Sequence, residues 1–258
     1  QSNALLLFKR ANRWFPVIEP ILKRNNIPDD FKYIALIESH LTNAVSPRGA
    51  TGFWQFVEPT GLHYGLEINE EVDERYNVEK ATQAACLYFK DAHNQFGEWT
   101  LAAASYNLGI GGLENQLKKQ KVDNYYDLML NEETGRYVYR LLALKTILQN
   151  PKNFGFEIRK KDLYHRIPTI SVKVKDEITN LVDYSISKGY NYKILKLFNP
   201  WLRDSALKNP DKKTYILLFP KKEYVQRAFD EIEADSLKNM LRLNSSAFAN
   251  PADTIKLK

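Results

Sequence analysis

From residue 5 to about 150, apolar positions recur with helical spacing, interrupted by short polar or glycine-bearing connections. Asp29 and Asp30 follow Pro28 and suit a helix start, and the chain then runs from Phe31 to Leu41 without Gly or Pro. Pro47-Arg48-Gly49 and Thr51-Gly52 mark a loop. Val78 to Phe96 reads as a long helix with a mixed apolar face, closed by Gly97. Trp99 to Tyr106 reads as a short apolar helix, after which Gly109-Ile110-Gly111-Gly112 is expected to break the chain. Glu133 to Gln149 is a further helix, ended by Asn150-Pro151. Connections this short predict compact packing of neighbouring helices.

The pattern changes after Pro151. Ile170-Ser171-Val172-Lys173-Val174 alternates as a strand does. Asp176 to Lys188 and Tyr192 to Phe198 read as two short helices, and Thr214 to Phe219 as a second strand stopped by Pro220. Lys221 to Leu243 resumes helical periodicity, with a mobile tail expected from Asn244. The expected fold class is mainly α: a helical domain over 5–155, a linker over 151–169, a small strand-helix-helix-strand α+β module over 170–220, and a C-terminal helix and tail over 221–258.

One position departs from the helical pattern. At about 100° per residue, Phe31, Ile34, Ala35 and Glu38 share a face. Glu38 stands where a leucine is expected. A carboxylate on an apolar stripe is costly unless it is paired, hydrogen-bonded or protonated. Desolvation raises its pKa, and a glutamic acid still protonated near neutrality is what a general acid requires. Spacing alone leaves a structural alternative open, a Glu paired with a buried Arg or capping a neighbouring helix.

Composition narrows the picture without deciding it. The 258 residues are 44% hydrophobic and 26% charged, as in an ordinary globular protein. No apolar run approaches the roughly 20 residues that span a bilayer. Gln1-Ser2-Asn3-Ala4 has the look of a protease-site and cloning remnant, which leaves open a trimmed native N-terminus and membrane association through it. The net charge of +6 suits an anionic polymer or simple solubility equally well. The lysines are scattered, and no nucleic-acid fingerprint accompanies them. Cys86 is the single cysteine and reads as a core residue. His40, His63, His93 and His165 lack ligand spacing, so each reads as structural or exposed rather than as a metal ligand.

Four blocks follow one another along the first domain. They are Ala35-Leu36-Ile37-Glu38-Ser39, then Ala44 to Phe56 with Gly52-Phe53-Trp54-Gln55 inside it, then Ala103-Ala104-Ser105-Tyr106-Asn107, then Glu133-Thr134-Gly135-Arg136-Tyr137-Val138. In this order and spacing they resemble the soluble lytic transglycosylase domain family, and within it the membrane-bound lytic transglycosylase D branch. The resemblance covers roughly residues 10 to 155 and implies a helical, goose-lysozyme-like fold. It places the catalytic glutamate on Glu38 and substrate-side roles on Ser39, Gln55, Tyr106, Asn107, Glu133 and Tyr137. The hydroxyl of Tyr106 would lie near Glu38 or the sugar. Ser105 replaces the family's alanine, and Gly135 stands where arginine is usual, which leaves the role of Arg136 open. Trp54 and Phe56 read as core residues, with sugar platforms as the alternative. Residues 172 to 220, with Tyr192 to Pro200 at their centre, resemble a divergent LysM module, which binds glycans containing N-acetylglucosamine; a purely structural appendix is the alternative.

The resemblance implies cleavage of peptidoglycan glycan strands in the cell envelope, in the periplasm or at the outer membrane. Glu38 would protonate the glycosidic oxygen between N-acetylmuramic acid and N-acetylglucosamine. It would then take the proton of the muramic C6 hydroxyl as that oxygen attacks C1, giving a 1,6-anhydro end with no metal or organic cofactor needed. Ordinary glycosidases use two carboxylates. Glu58, Asp73, Glu74 and Glu98 are available, but each has a surface or capping role to fill. A hydrolytic muramidase of the same fold and a non-catalytic peptidoglycan-binding protein remain as rivals.

Overall fold

The computed structural model describes residues 2–232 and residue 235. Among the described residues, nine α-helices, a further helical stretch at 225–232 and one two-stranded sheet are laid out around three apolar clusters. The expected tail from Asn244, and most of the helix expected up to Leu243, lie outside the described residues; residues 225–232 are helical.

The first domain is mainly helical. Helix α1 (Ser2–Arg24) buries Leu6, Ile18, Ile21 and Leu22 along one face. Helix α2 (Lys32–Ser39) is enclosed along almost its whole length, from Lys32 through Ile37. It runs between α1 and α7 (Glu132–Gln149). The short α3 (Glu58–His63), which periodicity does not reveal in so few residues, has Pro59 in its first turn, where a missing N–H is tolerated. Helix α4 (Val78–Phe96) is capped by the Asn77 side chain and stopped by Gly97 at φ 72°. Its buried Ala81, Ala84, Ala85 and Ala92 let α1 and α5 (Trp99–Leu108) approach closely.

The glycine run after α5 does less than the sequence suggests. Only Gly109 leaves the helical region, at φ 82°, and α6 (Ile110–Gln120) starts immediately after it and carries Gly111 and Gly112 inside its first turn. One positive φ suffices to turn the chain, and the two following glycines take ordinary helical geometry.

The second domain is the β1–α8–α9–β2 module, with β1 at Thr169–Val174, α8 at Leu181–Ser187, α9 at Tyr192–Phe198 and β2 at Tyr215–Pro220. The strands pair antiparallel, from Thr169 opposite Pro220 to Val174 opposite Tyr215. The first of its helices begins later than Asp176, because the Asn180 side chain accepts from the amides of Val182 and Asp183 and so defines the N-cap. Tyr215, Leu217 and Phe219 point inward onto Leu181, Ile194 and Leu195.

Asn199, fully buried at the end of α9, serves β2 from the side. Its amide donates to Leu218 O at 2.8 Å and Leu195 O at 2.9 Å, and its Oδ1 accepts from Leu218 N at 2.8 Å. Asn199→Ala strands the buried Leu218 groups, each worth roughly 1–3 kcal/mol when unsatisfied. We expect that variant to lose about 2 kcal/mol or more in urea denaturation, with the far-UV spectrum of the native state unchanged.

Candidate active site

The site is assembled around the last turn of α2. Glu38 is half-buried there, and the Tyr137 hydroxyl donates to its Oε1 at 2.6 Å. Burial is the main force on the carboxyl and holds its pKa above the ordinary glutamate range. The Tyr137 hydrogen bond pulls the pKa back, and so does the charge of Arg140, whereas the charge of Glu133 pushes it up. Glu133, Tyr137 and Arg140 occupy successive turns on one stripe of α7, so one helix supplies all three influences.

The backbone beyond Glu38 turns sharply. His40 and Leu41 both have left-handed geometry, at φ 54° and 56°, and end α2 directly after Ser39. Ser39 is buried, and its hydroxyl donates to Ala35 O at 3.1 Å and Phe53 O at 2.8 Å. It thus ties α2 to the loop of residues 44–56, whose ends close through isolated bridges Val45–Thr51 and Thr51–Phe56. Gln55, itself at φ 50°, donates from Nε2 to Ala44 O at 3.0 Å and Gly52 O at 2.8 Å, bracing the same loop. Gly52 has φ 79°, and a Cβ there would lie 2.0 Å from Arg75 O, so only glycine fits.

Tyr106 lies close enough to Glu38 to feel its charge and directs its hydroxyl to the backbone. Its hydroxyl donates to Trp54 O at 2.7 Å, while Glu38 acts on it through its charge. The hydroxyls of Tyr106 and Tyr137 are both held well above their usual pKa, first by burial and then by the Glu38 charge, so both stay protonated. Asn107 is positioned by Thr134, which donates to its Oδ1 at 2.8 Å, and it reaches Glu133 at 3.4 Å. Trp54 is fully buried and donates to Thr82 at 2.9 Å, as a core residue should. Arg136 is exposed and paired with Glu132 at 2.5 Å, one turn back along α7. The arginine that Glu38 feels is therefore Arg140, which motif matching passed over; its i+3 spacing from Tyr137 is the signal that locates it.

The carboxylates considered as partners for Glu38 are otherwise engaged. Asp73 holds Arg75 at 2.7 Å, Glu74 accepts from Glu67 N at 3.0 Å, and Glu58 and Glu98 lie exposed at helix starts. Glu133 instead is the carboxylate whose charge reaches Glu38. Glu38 and Ser39 also line a cavity of about 1470 Å³ between α1, the 44–56 loop and the second domain.

Comparison with known families shows what this arrangement is similar to. Residues 15–129 match the Transglycosylase SLT domain, and residues 170–223 match the soluble lytic transglycosylase C-terminal LysM-like domain. The chain joins an SLT domain to a LysM-like domain. It is 29% identical over 204 residues to membrane-bound lytic murein transglycosylase D of Escherichia coli K12, an overlap of 77% of this chain and 44% of that protein. It is 29% identical over 130 residues to membrane-bound lytic murein transglycosylase F of Saccharophagus degradans, covering 44% of this chain and 24% of the relative. The chain thus spans less than half the length of either relative. Among solved structures, the 70 kDa soluble lytic transglycosylase SLT70 of Escherichia coli superposes with a TM-score of 0.44 at 19% identity, over 59% of this chain and 27% of that one.

The SLT match ends before α7, so Glu133, Tyr137 and Arg140 lie beyond it while acting on a carboxylate within it. The raised pKa of Glu38 also has a consequence for stability. The folded state holds this proton more tightly than the unfolded chain, so the folded state's advantage is full below the unfolded carboxyl pKa of 4.5 and is lost as pH rises through the folded value. Glu38→Gln removes that loss. We expect its melting temperature to exceed that of the unsubstituted protein at pH 7.5 and the gain to vanish at pH 4, as scanning calorimetry at the two pH values will check.

Proposed function

We propose that this chain is a murein lytic transglycosylase, cleaving the β-1,4 bond between N-acetylmuramic acid and N-acetylglucosamine and leaving 1,6-anhydromuramic ends. The observation that carries this reading is the desolvated Glu38 carboxyl held by the Tyr137 hydroxyl at 2.6 Å, inside an SLT domain. We place the catalytic unit at 5–155 and the accessory module at 170–220.

The reaction needs one group to act twice. Glu38, protonated through burial, donates to the glycosidic oxygen as the bond from C1 breaks. The resulting carboxylate, stabilised by Tyr137 and the Arg140 charge, then accepts the C6 hydroxyl proton as that oxygen bonds to C1. No water is consumed. Tyr137 keeps its own proton throughout, so it donates to whichever form of the carboxyl is present without competing for the transferred one. Ser39 and Gln55 act through the loop they brace, whereas Tyr106, Asn107 and Glu133 stand on the substrate side. The adjoining cavity exceeds the ~300–1,000 Å³ of pockets for drug-sized ligands, which suits a polymer segment.

The partner on this reading is the glycan strand of peptidoglycan and the site of action is the cell envelope, in keeping with relatives named as membrane-bound. Among the described residues no helix is long and apolar enough to cross a membrane.

A second reading has one observation in its favour. Glu133 is a second carboxylate within electrostatic reach of Glu38 and would serve a hydrolytic muramidase as base. Mass spectrometry of digested sacculi separates the two. Muropeptides lighter by one water than their reducing counterparts are expected, made at the same rate or within a few-fold by Glu133→Gln; reducing ends from the unsubstituted protein would replace this reading by the hydrolytic one. Glu38→Gln is expected to lower the rate by roughly 10²–10⁴-fold, the usual contribution of a general acid.

Tyr137→Phe tests the tuning. The hydrogen bond it removes favours the ionised carboxyl, so its loss raises the Glu38 pKa further. The alkaline limb of the activity profile, where Glu38 loses its proton, is expected to move to higher pH while the maximal rate falls.

A further inference from the structure

We propose that the LysM-like module is a working part of the SLT active site: docked on residues 67–76, it fixes through Arg75 the 44–56 loop that positions Glu38. Arg75 is accordingly a positioning residue. This inference rests on the proposed glycan-cleaving activity for its functional half, and on geometry alone for the rest.

The docking is intimate. Val72 belongs to the first domain by sequence, yet it is 1% exposed and sits in the module's own apolar cluster with Ile178, Leu202 and Leu207. It bridges Leu202 in antiparallel fashion, with Asp73 N donating to Trp201 O at 2.9 Å and Arg203 N to Glu71 O at 2.7 Å on either side. The Glu71 carboxylate accepts from Lys208 N at 2.6 Å, and the Arg203 guanidinium lies 4.1 Å from the Tyr76 ring centre. A tethered module would need none of these backbone bonds.

From there the contacts run to Ser39, the residue that follows Glu38. The buried Asp73 carboxylate grips Arg75, whose Nε and Nη2 donate to it at 2.9 and 2.7 Å. The remaining arm of the guanidinium, Nη1, donates to Gly49 O at 3.2 Å and Phe56 O at 3.3 Å, near the middle and at the far end of the loop. The Arg75 carbonyl fills the space that Gly52 leaves open. Inside the loop, Phe53 O receives the Ser39 hydroxyl and Trp54 O receives the Tyr106 hydroxyl. A planar fork is required, since lysine has no second arm to reach the loop while it holds Asp73.

The test uses the full chain with two substitutions and two readouts. Val72→Asp undocks the module, and Arg75→Ala cuts the link while leaving Val72 in place. Hydrogen exchange is followed for amides of 44–56 and of 199–214, and kcat, KM and the pH profile are measured on a soluble glycan fragment too short to reach the module. We expect loop exchange to rise several-fold in both variants, while exchange over 199–214 rises in Val72→Asp alone. We expect kcat to fall several-fold to about tenfold, the size usual for coupling through packed networks, with KM nearly unchanged and the alkaline limb displaced. Should Val72→Asp fail to fold, Arg75→Ala and Arg75→Lys decide the matter, lysine giving little rescue. Unchanged loop exchange in a variant whose link is cut overturns the proposal, as does an effect confined to KM. An inactive unsubstituted protein would overturn the glycan-cleaving reading instead and leave the exchange measurements to judge the coupling.

Discussion

Enclosing a carboxyl at the end of a fully packed helix sets the terms for the rest of the first domain. Helix α2 is closed on most sides by α1, α7 and the 44–56 loop, which leaves Glu38 half-buried and open only toward the cavity. Water that would stabilise the charge is replaced by a single phenol at contact distance and by more distant charges on α7. Each of the surrounding elements can therefore be read as a way of holding one of those replacements still. Ser39 fastens the loop, Trp54 and Phe89 fill the space beneath it, and the cap on Asn131 starts α7 so that Tyr137 falls opposite Glu38.

Such precision has a conformational cost. His40, Leu41 and Gln55 all adopt left-handed backbone geometry without being glycine, at about 1–2 kcal/mol each. Two follow Glu38 at once and the third braces the adjoining loop. Arg10 helps hold the first of these turns, donating to His40 O at 3.3 Å while its guanidinium pairs with Asp235 at 2.9 Å. Strain of this kind persists only where surrounding contacts over-determine the backbone. Here it stops α2 one residue after the carboxyl, which keeps Glu38 in the last turn and beside the cavity.

Much of this was legible in the sequence, for reasons that differ by element. Long helices such as Val78–Phe96 declare themselves through repeated apolar spacing and a terminal glycine. Glu38 stood out because charge interrupts such a pattern. Helix α6 was hidden because three glycines look like a break when only one has positive φ, and the late start of α8 was hidden behind the Asn180 cap. Motif matching named Tyr106 and Tyr137 together but could not divide their work, since which hydroxyl meets the carboxyl depends on how α5 and α7 cross. Arg140 and the Val72 insertion escaped altogether. Neither carries a local signal, and the second is a contact between residues far apart in the chain.

The balance on Glu38 constrains which chemistry the site is able to run. A carboxyl that acts first as acid and then as base must not be driven far in either direction, because strong bias toward one form slows the other step. Burial alone would favour the acid. Tyr137 and Arg140 oppose it, and Glu133 adds a smaller push in the direction of burial. Arg140 and Glu133 are exposed, so salt and solvent screen them. Tyr137 is buried, and its contribution survives at any ionic strength. The side chain that offsets burial most durably is thus drawn from α7, beyond the matched SLT stretch but within the Glu133 to Val138 block that resembles the family.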